Sequence, residues 1–284
     1  MKFKRPKVPF VGTEAGLGGD LVLVGLPFDG TETFRKGTKD GPDSMRQYSD
    51  SIETFSPDFE KDIADLNISD AGNVIFRSQT VKKVLGDIES AAAYMMEKGK
   101  KALYIGGEHL VTYPLIKKYH EKYPDLQVLY FDAHADSRDS FAGDPYSHSA
   151  VVHLMADHVP AKNISLFGIR SFEKKEYYWL KKKKIFVDRR IEKLGTVINR
   201  VKNSPVYITI DMDVFNPAEM WGVGNPEGGG ISFAQFTHIV GLFAKLKNVV
   251  AADIVELAPN IDATGASSIY TAKVAREVIL SLAK

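Results

Sequence analysis

Short apolar runs recur along the chain at about residues 20–26, 62–67, 102–106, 127–132, 164–168, 184–188, 206–211 and 249–254, bounded by turn residues and rich in Val, Ile, Leu and Tyr. Runs this short and this apolar read as strands buried on both faces. Between them the period changes. Val84, Ile88, Ala91, Ala92 and Met95 mark one side of a helix in 79–98, and 110–122, 148–157, 173–182, 190–202, 232–246 and 264–282 carry the same helical spacing. Alternating strands and helices predict an α/β chain, a three-layer α/β/α arrangement whose parallel sheet of about eight strands is covered by helices on both faces. No repeat, low-complexity tract or long Pro/Gly/Ser linker interrupts the pattern, so residues 1–284 read as one domain. The polar, Gly- and Pro-containing loops 137–147 and 214–230 each follow a strand and are predicted to wall a pocket.

Composition removes several classes of function. With 37 basic against 36 acidic residues the formal charge is +1, which gives no footing for a nucleic-acid or membrane partner. The basic block Lys181 to Lys184 reads as a solvated helix end. No cysteine is present, so disulfides and thiolate metal sites are excluded and any metal must be held by oxygen and imidazole. The opening segment MKFKRPKVPFVG lacks the apolar stretch of a signal peptide, and no run approaches the length of a membrane span. A cytoplasmic protein is the expectation.

The candidate chemistry sits at strand ends. Asp132-Ala133-His134-Ala135-Asp136 directly follows Val128-Leu129-Tyr130-Phe131, and in an extended segment residues 132, 134 and 136 share one side. The run Val206 to Ile210 delivers Asp211 and Asp213 with the same period of two, and Ala102 to Ile105 delivers Glu108 and His109 after two glycines. Each segment alone reads equally well as a solvated turn, since Asp is a common turn residue. In a parallel sheet, however, ligands gather outside the carboxyl ends of the strands, where these acids and histidines would meet. Four aspartates and two histidines exceed the needs of one ion. A sulfur-free set of this kind suits two Mn2+ or similar ions, which at about 3.5–4 Å separation share and activate a water. Four carboxylates and a hydroxide outweigh two divalent cations, so the cluster would favour a cationic substrate. Glu256, at the end of the run Val249 to Val255, would suit a planar guanidinium.

GGEH at 106–109, DAHAD at 132–136, SHS at 147–149, DMDVFNP at 211–217 and DIVELAP at 253–259 resemble, in order, the signature segments of the ureohydrolases, the family of arginases and agmatinases. The resemblance runs from VGLPFDGTETFRKG (24–37) and GPDSMR (41–46) to the C-terminal helix. It implies an arginase/deacetylase-like fold and two Mn2+ per chain, one held by His109, Asp132, Asp136 and Asp211, the other by Asp132, His134, Asp211 and Asp213. It further implies catalytic roles for His148 as proton shuttle or substrate contact, for Glu256 as guanidinium anchor and for Asp136 as proton relay. Similar enzymes are trimers or hexamers, which makes a homo-oligomer the expectation.

The interval Ser137 to Ser147 lacks the arginase-type NxHG pattern and is similar to the shorter agmatinase loop, so the implied reaction is hydrolysis of agmatine to putrescine and urea. Val223, Asn225 and Gly228 depart from the usual agmatinase loop, as do Leu110 after His109 and Ser149 after His148. Asp139, Asp144, Glu219 and Glu227 are the loop acids available to a distal ammonium. The alternatives are a guanidinobutyrase, with Arg138 meeting the substrate carboxylate, an arginase, or a non-catalytic regulatory member. A deacetylase on the related fold would instead carry one zinc and a catalytic tyrosine.

Overall fold

The computed structural model describes residues 1–283. Its strands are β1 (Phe3–Lys4), β2 (Glu14–Ala15), β3 (Leu21–Leu26), β4 (Phe55–Ser56), β5 (Lys61–Asp62), β6 (Ile68–Val74), β7 (Lys101–Gly106), β8 (Gln127–Phe131), β9 (Ile164–Phe167), β10 (Phe186–Asp188), β11 (Val206–Asp211) and β12 (Val249–Val255). Its helices are α1 (Gly41–Ser49), α2 (Val81–Glu97), α3 (Thr112–Lys122), α4 (Val151–Met155), α5 (Lys174–Lys183), α6 (Leu194–Val201), α7 (Phe233–Phe243) and α8 (Ala266–Leu282).

Ten strands form the main sheet in the order β1-β6-β3-β7-β12-β11-β8-β9-β10, with β2 also on β6. The stretch from β6 to β10 is parallel throughout, as predicted. The count of about eight is corrected to ten: β1 adds antiparallel to β6 and β2 adds parallel to it, and two-residue strands are too short to leave a periodic signal. The strand expected at 62–67 is also corrected. Residues 63–65 form a 3-10 turn, and the strand is β6, whose sequence ISDAGNV contains turn-type residues. Buried Asp70 is held there by the Arg46 guanidinium through Nε (2.8 Å) and Nη2 (3.0 Å). Gly72 takes a φ of 82°, and a Cβ on it would lie 2.0 Å from the Lys4 carbonyl, so the approach of β1 requires glycine. Arg46 comes from α1, a helix that the apolar periodicity does not show.

Strand alternation divides the core between the two helical layers. Leu21, Leu23, Leu103, Ile105, Leu129, Phe131, Ile208 and Ile210 pack with residues of α1, α6, α7 and α8. Val22, Val24, Ala102, Tyr104, Val128 and Tyr130 pack with α2, α3 and α4. Each fully buried large side chain contributes about 1.5–3 kcal/mol, so the period of two is strongly enforced. The topology also sets up the site. The chain passes from β7 to β8 over a gap that β12 and β11 later fill, which brings the carboxyl ends of β7, β12, β11 and β8 side by side at about 4.8 Å spacing.

Candidate metal centre and cavity

Register levels these four ends: Asp211 stands opposite Val255, Ile254 opposite Ile105, and Ile210 opposite Phe131. The next residues of each strand therefore meet. His109 Nδ1 lies 3.0 Å from Asp132 Oδ2, 3.1 Å from Asp211 Oδ2 and 3.4 Å from Asp136 Oδ2. His134 Nδ1 lies 2.7 Å from Asp213 Oδ2 and 3.8 Å from Asp132 Oδ1. Ligand atoms of His109, Asp132 and Asp211 fall within 4.8 Å of one another, as do those of Asp132, His134 and Asp213. Asp132 belongs to both groups. All six residues singled out in the sequence are thus gathered, though alternation alone does not bring in Asp136. An isolated bridge to Ser171 holds His134 in line with β8, whereas Asp136 turns inward through a φ of 41°.

Two residues that the sequence reading missed orient His109. Thr209 Oγ1 is 2.9 Å from its Nε2, and the Tyr130 hydroxyl is 3.0 Å from its Nδ1 while donating to Asp136 Oδ2 at 2.9 Å. Tyr130 and Thr209 lie two residues before Asp132 and Asp211, so the period of two that marks the candidate ligands extends back to them.

Electrostatics describes a site made for cations. Burial, then the neighbouring carboxylates of Asp213 and Asp136, push Asp132 well above the usual carboxylate range, and burial with Asp213 and Asp132 does the same to Asp211. Burial opposes the charge of His134, but Asp213 raises it to about 11, and its positive charge holds Asp213 below the usual range. Asp132 Oδ2 is sealed from solvent and accepts no well-directed hydrogen bond. A buried carboxylate oxygen whose one near partner is the His109 ring, among crowded acids with imidazoles and no sulfur nearby, fits divalent cations.

Beside the cluster opens a cavity of about 300 Å³, lined among others by Thr33, His134, Asp136, Arg138, His148 and Glu256. Glu256, like Asp136, is a non-glycine residue in the left-handed region, at φ 70°. Such conformations cost about 1–3 kcal/mol and persist where the surrounding structure imposes them. Glu256 Oε1 accepts the His109 backbone N–H at 2.7 Å and sits 3.5 Å from His148 Nδ1. His148 Nε2 is 3.0 Å from Thr33 Oγ1. Burial opposes protonation of His148, yet Glu256 raises it to about 9. Burial and Glu256 raise Glu32 to about 7, and burial raises Glu108 to about 8.

The predicted loops do reach the cavity, through Arg138, Phe141 and Asn225, but their acids do not. Asp139, Asp144, Glu219 and Glu227 are absent from its lining; Asp144 caps its own turn at Tyr146 N, and Glu219 accepts from Phe233 N and Tyr270. The further acids lining the cavity are instead Glu173 and Glu176 at the start of α5, which follows β9, the strand paired with β8. Arg138 is engaged there in an ion pair with Glu173 at 3.0 Å.

Comparison with known proteins agrees with this geometry. Residues 19–281 match the Arginase family. Agmatinase of Bacillus subtilis (strain 168) is 37% identical over 268 residues, covering 93% of this chain and 92% of the relative. The N(1)-aminopropylagmatine ureohydrolase of Thermococcus kodakarensis is 30% identical over 243 residues, covering 84% and 82%. The crystal structure of agmatine ureohydrolase of Thermoplasma volcanium superimposes with a TM-score of 0.86 at 30% identity, covering 96% of this chain and 93% of that one. With the matched region containing every strand end that builds the acid and imidazole cluster, the chain belongs to the arginase family.

Proposed function

We propose that this protein is an agmatinase, a hydrolase of C–N bonds in linear amidines that converts agmatine and water to putrescine and urea. The observation that carries the reading is Asp132 shared between two candidate cation groups, with Glu256 facing the same cavity. Two Mn2+ would be held by His109, Asp132, Asp136 and Asp211 and by Asp132, His134, Asp211 and Asp213. When bound, such a pair polarises a shared water and lowers its pKa toward neutrality.

The chain's own groups do the rest. Glu256 Oε1 is occupied by the His109 N–H, which leaves Oε2 to accept the substrate guanidinium and hold its carbon for attack. Asp136 Oδ2 is engaged by Tyr130, so Oδ1 is free to relay a proton to the leaving nitrogen. His148, charged between Glu256 and Thr33, shuttles protons between cavity and solvent. Glu173 and Glu176 line the same cavity, and because Arg138 is already paired with Glu173 it is not free to meet a substrate carboxylate. Among the described residues no helix is long and apolar enough to cross a membrane. The family likeness supports a cytoplasmic homo-oligomer, a trimer or hexamer.

Urea release from Mn2+-loaded protein, compared across agmatine, N(1)-aminopropylagmatine, arginine and guanidinobutyrate, tests the reading. Agmatine should exceed arginine in kcat/KM by at least about tenfold, or about 1.4 kcal/mol of transition-state binding. If arginine or guanidinobutyrate wins by that margin, agmatine is the wrong substrate while guanidine hydrolysis stands.

A further inference from the structure

Glu108 is fully buried yet takes no part in the acid and imidazole cluster beside it. Both its oxygens turn away, to one residue. Thr31 N–H donates to Oε2 at 2.8 Å and Thr31 Oγ1 donates to Oε1 at 2.6 Å. Two donors are what a carboxylate shut away from water requires, and together they fix Thr31 in both backbone and side chain. Because its single proton goes to Glu108, the Thr31 hydroxyl has only lone pairs to offer elsewhere. One of these accepts the His148 backbone N–H at 3.0 Å. Two residues on, Thr33 Oγ1 meets the His148 ring at Nε2. The 31–33 segment therefore grips His148 at main chain and ring, and Glu108 anchors that grip.

The anchor itself is rigid. Glu108 N–H donates to Phe28 O at 2.8 Å, Gly107 N–H donates to Leu26 O at 2.9 Å, and Glu256 N–H donates to Gly107 O at 2.9 Å. A Cβ on Gly107 would lie 1.9 Å from the Phe28 carbonyl, so this close docking depends on glycine. The turn that carries Glu108 thus ties the end of β3 to Glu256 in the cavity wall.

We propose that Glu108 is a positioning residue, which sets His148 against Glu256 and Thr33 by orienting the Thr31 hydroxyl. The inference rests on the catalytic role of His148 in the reading above. Glu108 touches neither substrate nor reacting atoms, so its effect must pass through His148 and appear in turnover rather than in metal or substrate binding.

The test uses the full chain loaded with Mn2+, comparing wild type, Glu108→Gln, Thr31→Val and Thr31→Ser by metal content, urea release from agmatine at alkaline pH, and crystal structure. Glu108→Gln and Thr31→Val are expected to retain metal and to lose at least about tenfold in kcat with KM changed less than about threefold, while Thr31→Ser, which keeps the hydroxyl, stays within about threefold of wild type. In a His148→Ala background either change should cost less than about twofold more, because the effect runs through that histidine. Losses that multiply in that background overturn the proposal, as does a Thr31→Val structure in which His148 keeps its contacts to Thr33 and Glu256. If Glu108→Gln fails to fold, the Thr31 pair decides. If His148→Ala is fully active, the role of His148 in the reaction is wrong, and the ring position in Thr31→Val still decides the link.

Discussion

Glu256→Gln is the sharpest perturbation of the proposed reaction because the change is confined to charge. Glu256 Oε1 accepts the His109 N–H at 2.7 Å, and a glutamine oxygen at the same place accepts it equally well, so the backbone at His109 is unaffected. What is lost is the negative charge at Oε2 and its charge-assisted hydrogen bonds to a guanidinium. Glu256 is only 6% exposed, so a bound cation facing the amide is deprived of its partner with little water to replace it. Leaving a buried charge unpaired costs about 2–5 kcal/mol, which corresponds to a fall in kcat/KM between about thirtyfold and several thousandfold. The assay is urea release from agmatine, run with protein whose Mn2+ content is measured in parallel. Unaltered metal content with a loss in that range is the expected result. A kcat/KM within a factor of two of wild type refutes the guanidinium role, and a loss of metal shows that Glu256 acts on the ligand cluster instead.

Asp132→Ala should lower metal occupancy at both positions and abolish turnover, since Asp132 belongs to both groups; retention of two ions per chain with activity would end the shared-ligand arrangement. Activity should rise from acid, as the crowded carboxylates release their protons to solvent and can bind metal, and peak above neutrality before His148 loses its charge at about 9; an optimum near pH 5 contradicts this order. Stability of metal-free protein should move the other way. Glu32 and Glu108 are raised by burial to about 7 and about 8, so their contribution is complete below the unfolded carboxyl value and is lost as pH rises through those values. Thermal melts should therefore be lower at pH 8.5 than at pH 6, and an equal or higher melt at pH 8.5 is the contrary result. Arg46→Met strands Asp70 as an unpaired buried carboxylate and should cost about 3–5 kcal/mol, lowering Tm by roughly 10 °C; a shift under about 2 °C in thermal melts would rule out an ionised pair.

The sequence alone determined the parallel α/β core and located the candidate chemistry at its strand ends. Burial on both faces of a parallel sheet demands continuous apolar runs, and those runs are visible at β3, β7, β8, β9, β11 and β12. The candidate ligands were legible for a related reason: cations need acids and imidazoles at strand ends, and Asp132, His134, Asp211 and Asp213 stand immediately after apolar runs with the period of an extended chain. Where a local pattern and a tertiary compensation disagree, the pattern misleads. β6 reads as a turn because Asp70, Gly72 and Asn73 are polar or flexible, and it becomes a strand only when Arg46, far from it in sequence, neutralises the acid.

Tertiary structure decided everything that depends on which segments lie side by side. The inward reach of Asp136 comes from a left-handed backbone that no spacing rule foretells. Glu173 and Glu176 in the cavity lining come from a helix next to the site because β9 pairs with β8, whereas Asp139, Asp144, Glu219 and Glu227 of the nearer loops are absent from that lining. The chain from Glu108 through Thr31 to His148 joins residues separated by 77 and 117 positions. Hydrogen bonds act over about 3 Å in space, and sequence distance carries no information about them until the sheet order brings their strands together.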